Sequence, residues 1–92
     1  MAVTIRIPTQ LRELSGGSAE VSAGGDTVAA VLADLEAAHP GFKERLFDGD
    51  GQLRRFVNVF VADEDIRFLR GLETPVAEGQ VVSIVPAVAG GT

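Results

Sequence analysis

Residues 25–41, with the sequence GDTVAAVLADLEAAHPG, contain the strongest helical pattern of this 92-residue chain. Apolar residues recur there at the spacing of one helix face, as they do in a helix packed on a core; they are Val28, Val31, Leu32, Leu35 and Ala38. Asp26 or Thr27 can cap the start, because a side-chain oxygen there accepts a hydrogen bond from an unpaired amide of the first turn. Pro40 disfavours helical geometry at His39 and ends the element. The sequence therefore predicts one main helix.

Strand patterns lie on both sides of this helix. They combine β-branched or aromatic residues with period-two alternation, which is typical of half-buried strands. The predicted strands are residues 3–7, 20–22, 56–61, 66–68 and 81–85, the fourth being a short edge strand. In the third strand, Val57, Val59 and Val61 share one face, and Phe60 lies on the other. Residues 42–47 are predicted to form a short helical turn, with Phe42, Leu46 and Phe47 as buried anchors.

The order of these elements is hairpin, helix, strand, short strand and strand. One helix can cover only one face of a sheet, so the predicted class is α+β. The first and last strands are both apolar and can lie side by side in the centre. That arrangement describes a β-grasp, or ubiquitin-like, fold with a mixed sheet of four to five strands and one main helix. We expect a single β-grasp domain over residues 1–85, followed by a flexible tail with two glycines over residues 86–92.

The composition excludes several classes of function. A net charge of −5 and a pI of about 4.6 argue against nucleic-acid binding, which needs a basic surface, but suit docking on a basic partner protein. The absence of cysteine removes disulfides, thiolate metal sites and cysteine nucleophiles. The chain has no signal-peptide pattern and no run of about 20 apolar residues. We therefore expect a cytoplasmic protein without membrane association.

Several polar clusters imitate functional sites. Asp48, Asp50 and Gly51 suggest a calcium loop, but the glycine comes too early and position twelve of the pattern is Val59 instead of glutamate. The acidic residues 63–65 are interpreted as a solvated turn, with an acidic docking contact as the alternative. His39 stands alone near the end of the helix, where a positive charge is favourable, and is interpreted as structural. We expect no metal site and no bound cofactor.

The end of the chain, Val85-Pro86-Ala87-Val88-Ala89-Gly90-Gly91, resembles the end of the MoaD and ThiS family of ubiquitin-like sulfur carriers. Residues 57–68, VNVFVADEDIRF, and residues 70–76, RGLETPV, resemble the CysO-type branch, which carries sulfur for cysteine biosynthesis in actinobacteria. The resemblance spans nearly the whole chain. Similar carriers serve thiamine, molybdopterin or sulfur-containing natural products, so the pathway stays open at this point.

The resemblance implies a protein cosubstrate, not an enzyme. An E1-like adenylyltransferase would use ATP to adenylate the terminal glycine carboxylate, expected at Gly91, and sulfur would replace the adenylate to give a thiocarboxylate. The acceptor would be a pyridoxal-phosphate-dependent cysteine synthase acting on O-phosphoserine, or a thiazole or thiosugar synthase. A zinc-dependent peptidase would then release cysteine and regenerate the carrier.

The tail residues suit this chemistry. Glycines without Cβ atoms allow close backbone approach in a partner's cleft, and Pro86 restricts the root of the tail. Pro86, Val88, Ala89 and Gly90 are therefore expected to contact the partner. Thr92 departs from the family pattern, because it places the carbonyl of Gly91 in a peptide bond. Thr92 is removed by a peptidase, or is a cloning scar, or the protein has left the pathway.

Phe60 and Val85 are the candidate docking residues on the folded domain. If Val57, Val59, Val82 and Ile84 face the helix, these two side chains face the open side of the sheet, where an exposed apolar patch marks a partner site. The alternative is that a loop covers them. Two other functions remain: a covalent modifier that joins Gly91 to a lysine of a target, and an interaction module that forms no conjugate.

Overall fold

The computed structural model of the protein describes residues 2–86. Five strands form the sheet: β1 (Ala2–Arg6), β2 (Glu20–Gly24), β3 (Val57–Val61), β4 (Glu64–Asp65) and β5 (Val81–Pro86). Two α-helices, α1 (Val28–Ala38) and α2 (Phe42–Leu46), and three 3-10 helices (Thr9–Ser15, Ile66–Phe68 and Gly71–Glu73) complete the chain. The predicted site residues Val88, Ala89, Gly90 and Gly91 lie outside the described residues.

The strands form one mixed sheet in the order β2-β1-β5-β3-β4. β1 and β5, the first and last strands, pair in parallel at its centre, with Ile5 opposite Val82. All other neighbours are antiparallel, and β1 and β2 form the predicted hairpin. This topology confirms the β-grasp, ubiquitin-like fold with one main helix.

Helix α1 packs against one face of this sheet and closes the core. The predicted periodicities are confirmed, since the alternate residues of β1, β3 and β5 and one stripe of α1 are buried. Thr27 is the cap, because its hydroxyl accepts a hydrogen bond from the amide of Ala30 at 3.2 Å. Ala38, the last residue of the predicted apolar stripe, is exposed.

The prediction of an edge strand at residues 66–68 is wrong. The edge strand β4 comes two residues earlier, because Ala62 (φ 50°) and Asp63 (φ 73°) make a two-residue hairpin turn directly after β3. Residues 66–68 turn into a 3-10 helix instead, since the carboxylate of Asp65 accepts a hydrogen bond from the amide of Arg67 at 2.9 Å. Two smaller differences concern the phenylalanines: Phe56 precedes β3 and is exposed, and Phe47 is half-buried.

Candidate functional site

The root of the predicted tail is the end of the central strand. β5 pairs with β1 over Val81–Ser83 and with β3 as far as Pro86, which stands opposite Val57. The strand thus continues one residue beyond the Val85 end that the sequence indicates. Both neighbours therefore pair with the first half of β5, and β3 alone pairs with its last three residues.

A shallow cleft of about 420 Å³ lies beside this root, between the last residues of β5 and the segment that follows β1. Two guanidinium groups line it. Arg6 forms an ion pair with Glu20 at 3.5 Å across the hairpin, and Nε of Arg12 donates a hydrogen bond to the carbonyl of Ile7 at 3.1 Å. The walls at the tail root therefore combine two arginines with apolar residues of β5 and of the segment that follows β1.

The open face of the sheet carries the two predicted docking residues. Phe60 lies opposite Ser83, and Val85 lies opposite Asn58, so Phe60 and Val85 are diagonal neighbours on one face. Val57, Val59, Val82 and Ile84 are buried on the other face, as the docking hypothesis requires. Val85 is 44% exposed and Phe60 is half-buried, so Val85 is accessible and Phe60 is accessible in part. Their role as a partner surface stays a prediction.

Sequence reasoning missed a group of exposed side chains next to this face. Phe56, Phe68 and Leu69 are all exposed, and Phe68 is 86% exposed. Phe68 was assigned to a strand, where one face would be covered. The available signal was the Asp-Ile-Arg-Phe sequence at 65–68, in which an aspartate can cap a tight turn and turn the next aromatic residue outward.

The polar clusters that imitate functional sites have structural roles where the structure describes them. Oδ1 of Asp48 accepts hydrogen bonds from the amides of Asp50 and Gln52, which closes a turn. Among residues 2–86, no group of three or more histidine, cysteine, aspartate or glutamate side chains is arranged to hold a metal ion. None of the helices in the same range is long and apolar enough to cross a membrane.

Comparison with known proteins agrees with this geometry. The sequence model of the ThiS family matches residues 5–91, and the protein therefore belongs to that family of β-grasp proteins. Sulfur carrier protein CysO of Mycobacterium tuberculosis is 56% identical over 93 residues, covering 99% of this chain and 100% of the relative. A chain of the crystal structure of the Amycolatopsis orientalis BexX/CysO complex superposes with a TM-score of 0.90 at 49% identity, covering 96% of this chain and 98% of the other.

A more distant relative has a different name. Small archaeal modifier protein 3 of Haloferax volcanii is 40% identical over 65 residues, which cover 71% of this chain and 70% of the relative. Carriers and modifiers therefore both occur among the proteins that this chain resembles.

Proposed function

We propose that the protein is a sulfur carrier of the CysO type, acting in the cytoplasm in cysteine biosynthesis. The observation that carries the proposal is the likeness to CysO over the whole chain, with a family match that continues through Gly91. The fold supports the proposal, because the root of the tail is the end of the central strand β5, which pairs with β3 as far as Pro86.

The proposed chemistry takes place at the terminal carboxylate. A carboxylate is a poor electrophile, so its oxygen first attacks the α-phosphorus of ATP and pyrophosphate leaves. Sulfide then attacks the acyl carbon, the bond to AMP breaks, AMP leaves with the electron pair, and a thiocarboxylate remains at Gly91. This sequence requires that Thr92 be removed first, because only then is the carboxylate of Gly91 free.

Other proteins supply the catalytic groups in this proposal. An E1-like adenylyltransferase binds ATP, a pyridoxal-phosphate-dependent cysteine synthase accepts the sulfur, and a zinc-dependent peptidase releases the product and regenerates the carrier. The carrier itself is a cosubstrate that binds no cofactor. A thiazole or thiosugar synthase is the alternative acceptor, and the relative found in a BexX/CysO complex supports the view that such carriers dock on partner proteins.

The experiment is intact-protein mass spectrometry of two chains, residues 1–92 and residues 1–91. Each is incubated with ATP, a sulfur donor and the activating enzyme of the same host. We expect only the chain ending at Gly91 to gain the mass of one oxygen-to-sulfur exchange, and a Gly91→Ala variant to gain it far more slowly at unchanged stability. If neither chain gains that mass, the carrier function is refuted.

The docking face has its own test. Phe60→Asp places a charge on the open face, where a bound partner would bury it without a counter-charge, and this is costly. We expect weaker binding to the activating enzyme, while a Ser22→Asp variant on the β2 side of the same face serves as the control. Equal affinity for Phe60→Asp and wild type would remove Phe60 from the interface.

A covalent modifier is the second candidate, favoured by the likeness to small archaeal modifier protein 3. In that case Gly91 would be joined to lysines of target proteins. The chain contains a single lysine, Lys43, so conjugates between copies of the chain would use that residue or the N-terminal amine. Peptides from cells that carry the tail remnant on target lysines would favour this candidate over the carrier.

A further inference from the structure

The large apolar side chains that residues 2–86 expose come from three segments: the residue before β3, residues 68 and 69, and the end of β5. They are Phe68 (86% exposed), Phe56 (53%), Val85 (44%) and Leu69 (40%), and we name these four residues the Phe68 patch. Burial of a phenylalanine stabilises a fold, and Phe68 contributes almost none of this stabilisation to the isolated domain. Exposed apolar side chains that lie close together mark interaction sites.

Arg67 makes the patch continuous and holds it in place. Its guanidinium donates hydrogen bonds to Oδ1 of Asn58 at 2.9 Å, to the carbonyl of Val57 at 3.1 Å and to the carbonyl of Arg55 at 3.3 Å. These bonds tie the 3-10 helix that carries Phe68 to the segment that carries Phe56. Ile66, the first residue of the same 3-10 helix, is buried in the core and anchors it from below.

The patch reaches the root of the tail. Asn58, which Arg67 holds, lies opposite Val85 in the sheet, and Val57 lies opposite Pro86. A partner that receives the tail beyond Pro86 and covers Val85 therefore meets the guanidinium of Arg67 next, and Phe68 follows Arg67 in the chain.

The charge of this region differs from that of the whole chain. Four of the eight basic residues, Arg54, Arg55, Arg67 and Arg70, lie in the two segments that carry the patch, although the net charge of the chain is −5. In the part of the chain that the structure describes, the ion pairs are Arg6–Glu20 and Arg45–Glu13, and neither involves these four arginines. Arg54 and Arg67 already donate hydrogen bonds within the domain, whereas the described residues include no side-chain hydrogen bond of Arg55 or Arg70. Arg55 and Arg70 are thus available to carboxylates of a partner, with which arginine forms directional, bidentate hydrogen bonds.

We propose that the Phe68 patch is a docking surface for the tail-activating enzyme, and that an apolar pocket flanked by carboxylates on that enzyme receives Phe68. This inference rests on the proposed carrier function. The tail of the carrier, Ala-Val-Ala-Gly-Gly, has no charged or aromatic side chain. Most of the affinity for the activating enzyme must therefore come from the folded surface of the carrier. Aromatic residues and arginines supply most of the binding energy in protein interfaces. A side chain that is already held by hydrogen bonds, as Arg67 is, loses less conformational entropy on binding.

The test measures binding of the full chain to the activating enzyme by titration calorimetry at two ionic strengths. We expect Phe68→Ser to weaken binding by about 30-fold, the effect of one central anchor, and Phe68→Leu to weaken it much less. Arg70→Gln should reduce both the affinity and its salt dependence, whereas Arg45→Gln, the matched control on α2, should change neither. Wild-type affinity for Phe68→Ser overturns the inference.

Two further readouts separate the possible failures. Thermal unfolding of Phe68→Ser should match that of wild type, because an exposed side chain contributes little to stability, so lost binding would not reflect lost folding. Adenylation of the wild-type chain ending at Gly91 tests the proposed function by itself. If the wild-type chain is adenylated and the Phe68→Ser chain is adenylated with the same KM, the docking surface is refuted and the carrier function stands.

Discussion

Replacing Arg67 by lysine tests whether a planar guanidinium, and not merely a positive charge, holds the edge of the sheet together. The arginine donates three hydrogen bonds, to Asn58, Val57 and Arg55. Lysine keeps the charge, but its single ammonium group cannot reach three acceptors arranged around a planar fork. We therefore expect Arg67→Lys to lose most of the folding stability that Arg67→Ala loses.

The magnitude follows from the environment of each bond. A hydrogen bond contributes about 0.5–1.5 kcal/mol net, and exposed bonds lie at the low end of that range. Two of the three bonds are exposed, and the one to Val57 is partly buried. The free energy of unfolding should thus fall by about 1–2 kcal/mol in Arg67→Ala and by about 1 kcal/mol in Arg67→Lys. For a domain of this size, each kcal/mol lowers the Tm by about 4–8 °C.

Urea unfolding measures the effect. With a slope of about 1 kcal/mol per molar urea, the midpoint of Arg67→Lys should fall by about 1 M. Arg70→Lys is the matched control, because the described residues include no hydrogen bond from the side chain of Arg70, and its midpoint should stay at the wild-type value. If Arg67→Lys unfolds at the same urea concentration as wild type, the hydrogen bonds of the Arg67 guanidinium do not stabilise this edge of the sheet in solution.

Three other variants test separate parts of the structure. Thr27→Ala removes the cap of α1 and should cost about 1 kcal/mol in thermal unfolding, while Thr27→Ser should cost much less; equal losses would contradict the cap. Gly25→Ala should destabilise strongly, because Gly25 has a φ of 152° and a Cβ atom there would lie 2.8 Å from the amide nitrogen of Val31. A Tm of Gly25→Ala equal to that of wild type would show that the turn accommodates the added Cβ atom without loss of stability. Inserting two glycines after Pro86 should leave the affinity for the activating enzyme unchanged but slow the adenylation of the chain that ends at Gly91. The same insertion after Gly49, in an exposed turn, should change neither quantity. Equal adenylation rates for the Pro86 insertion and wild type would show that the enzyme does not depend on the length of the tail.

The sequence predicts the sheet well where burial alone decides the structure. Val57, Val59 and Val61 must share a face because side chains alternate along a strand, and only a buried face tolerates three valines in that register. The prediction of helix α1 follows from the same burial argument, with apolar residues recurring every three to four positions instead of every two. The candidate docking residues Phe60 and Val85 then fall on the open face as a geometric consequence of these two patterns.

The Phe68 patch could not be predicted in this way. The sequence Ile66-Arg67-Phe68 alternates as an edge strand would. The turn predicted at residues 63–65 lies at Ala62 and Asp63 instead, where both residues have a positive φ that non-glycine residues seldom adopt. The exposure of Phe68 also depends on bonds from Arg67 to residues nine to twelve positions earlier in the chain. Such contacts exist only after β3 and β4 have paired, so they leave no periodic signal in the sequence.

The central position of β5 in the sheet bears on how the protein presents the root of its tail to a partner. A tail that left from an edge strand or a loop would move with that element, but β5 is paired with both β1 and β3 at Val82 and Ser83, and β3 continues to Pro86, which stands opposite Val57. From that fixed point, the five residues to Gly91 span at most about 16–18 Å. A partner that grips the open face and the Phe68 patch therefore restricts Gly91 to a small volume around its active site. In the proposed function, specificity for the carrier then resides in the folded surface, and the end of the tail needs only residues small enough to enter a narrow cleft.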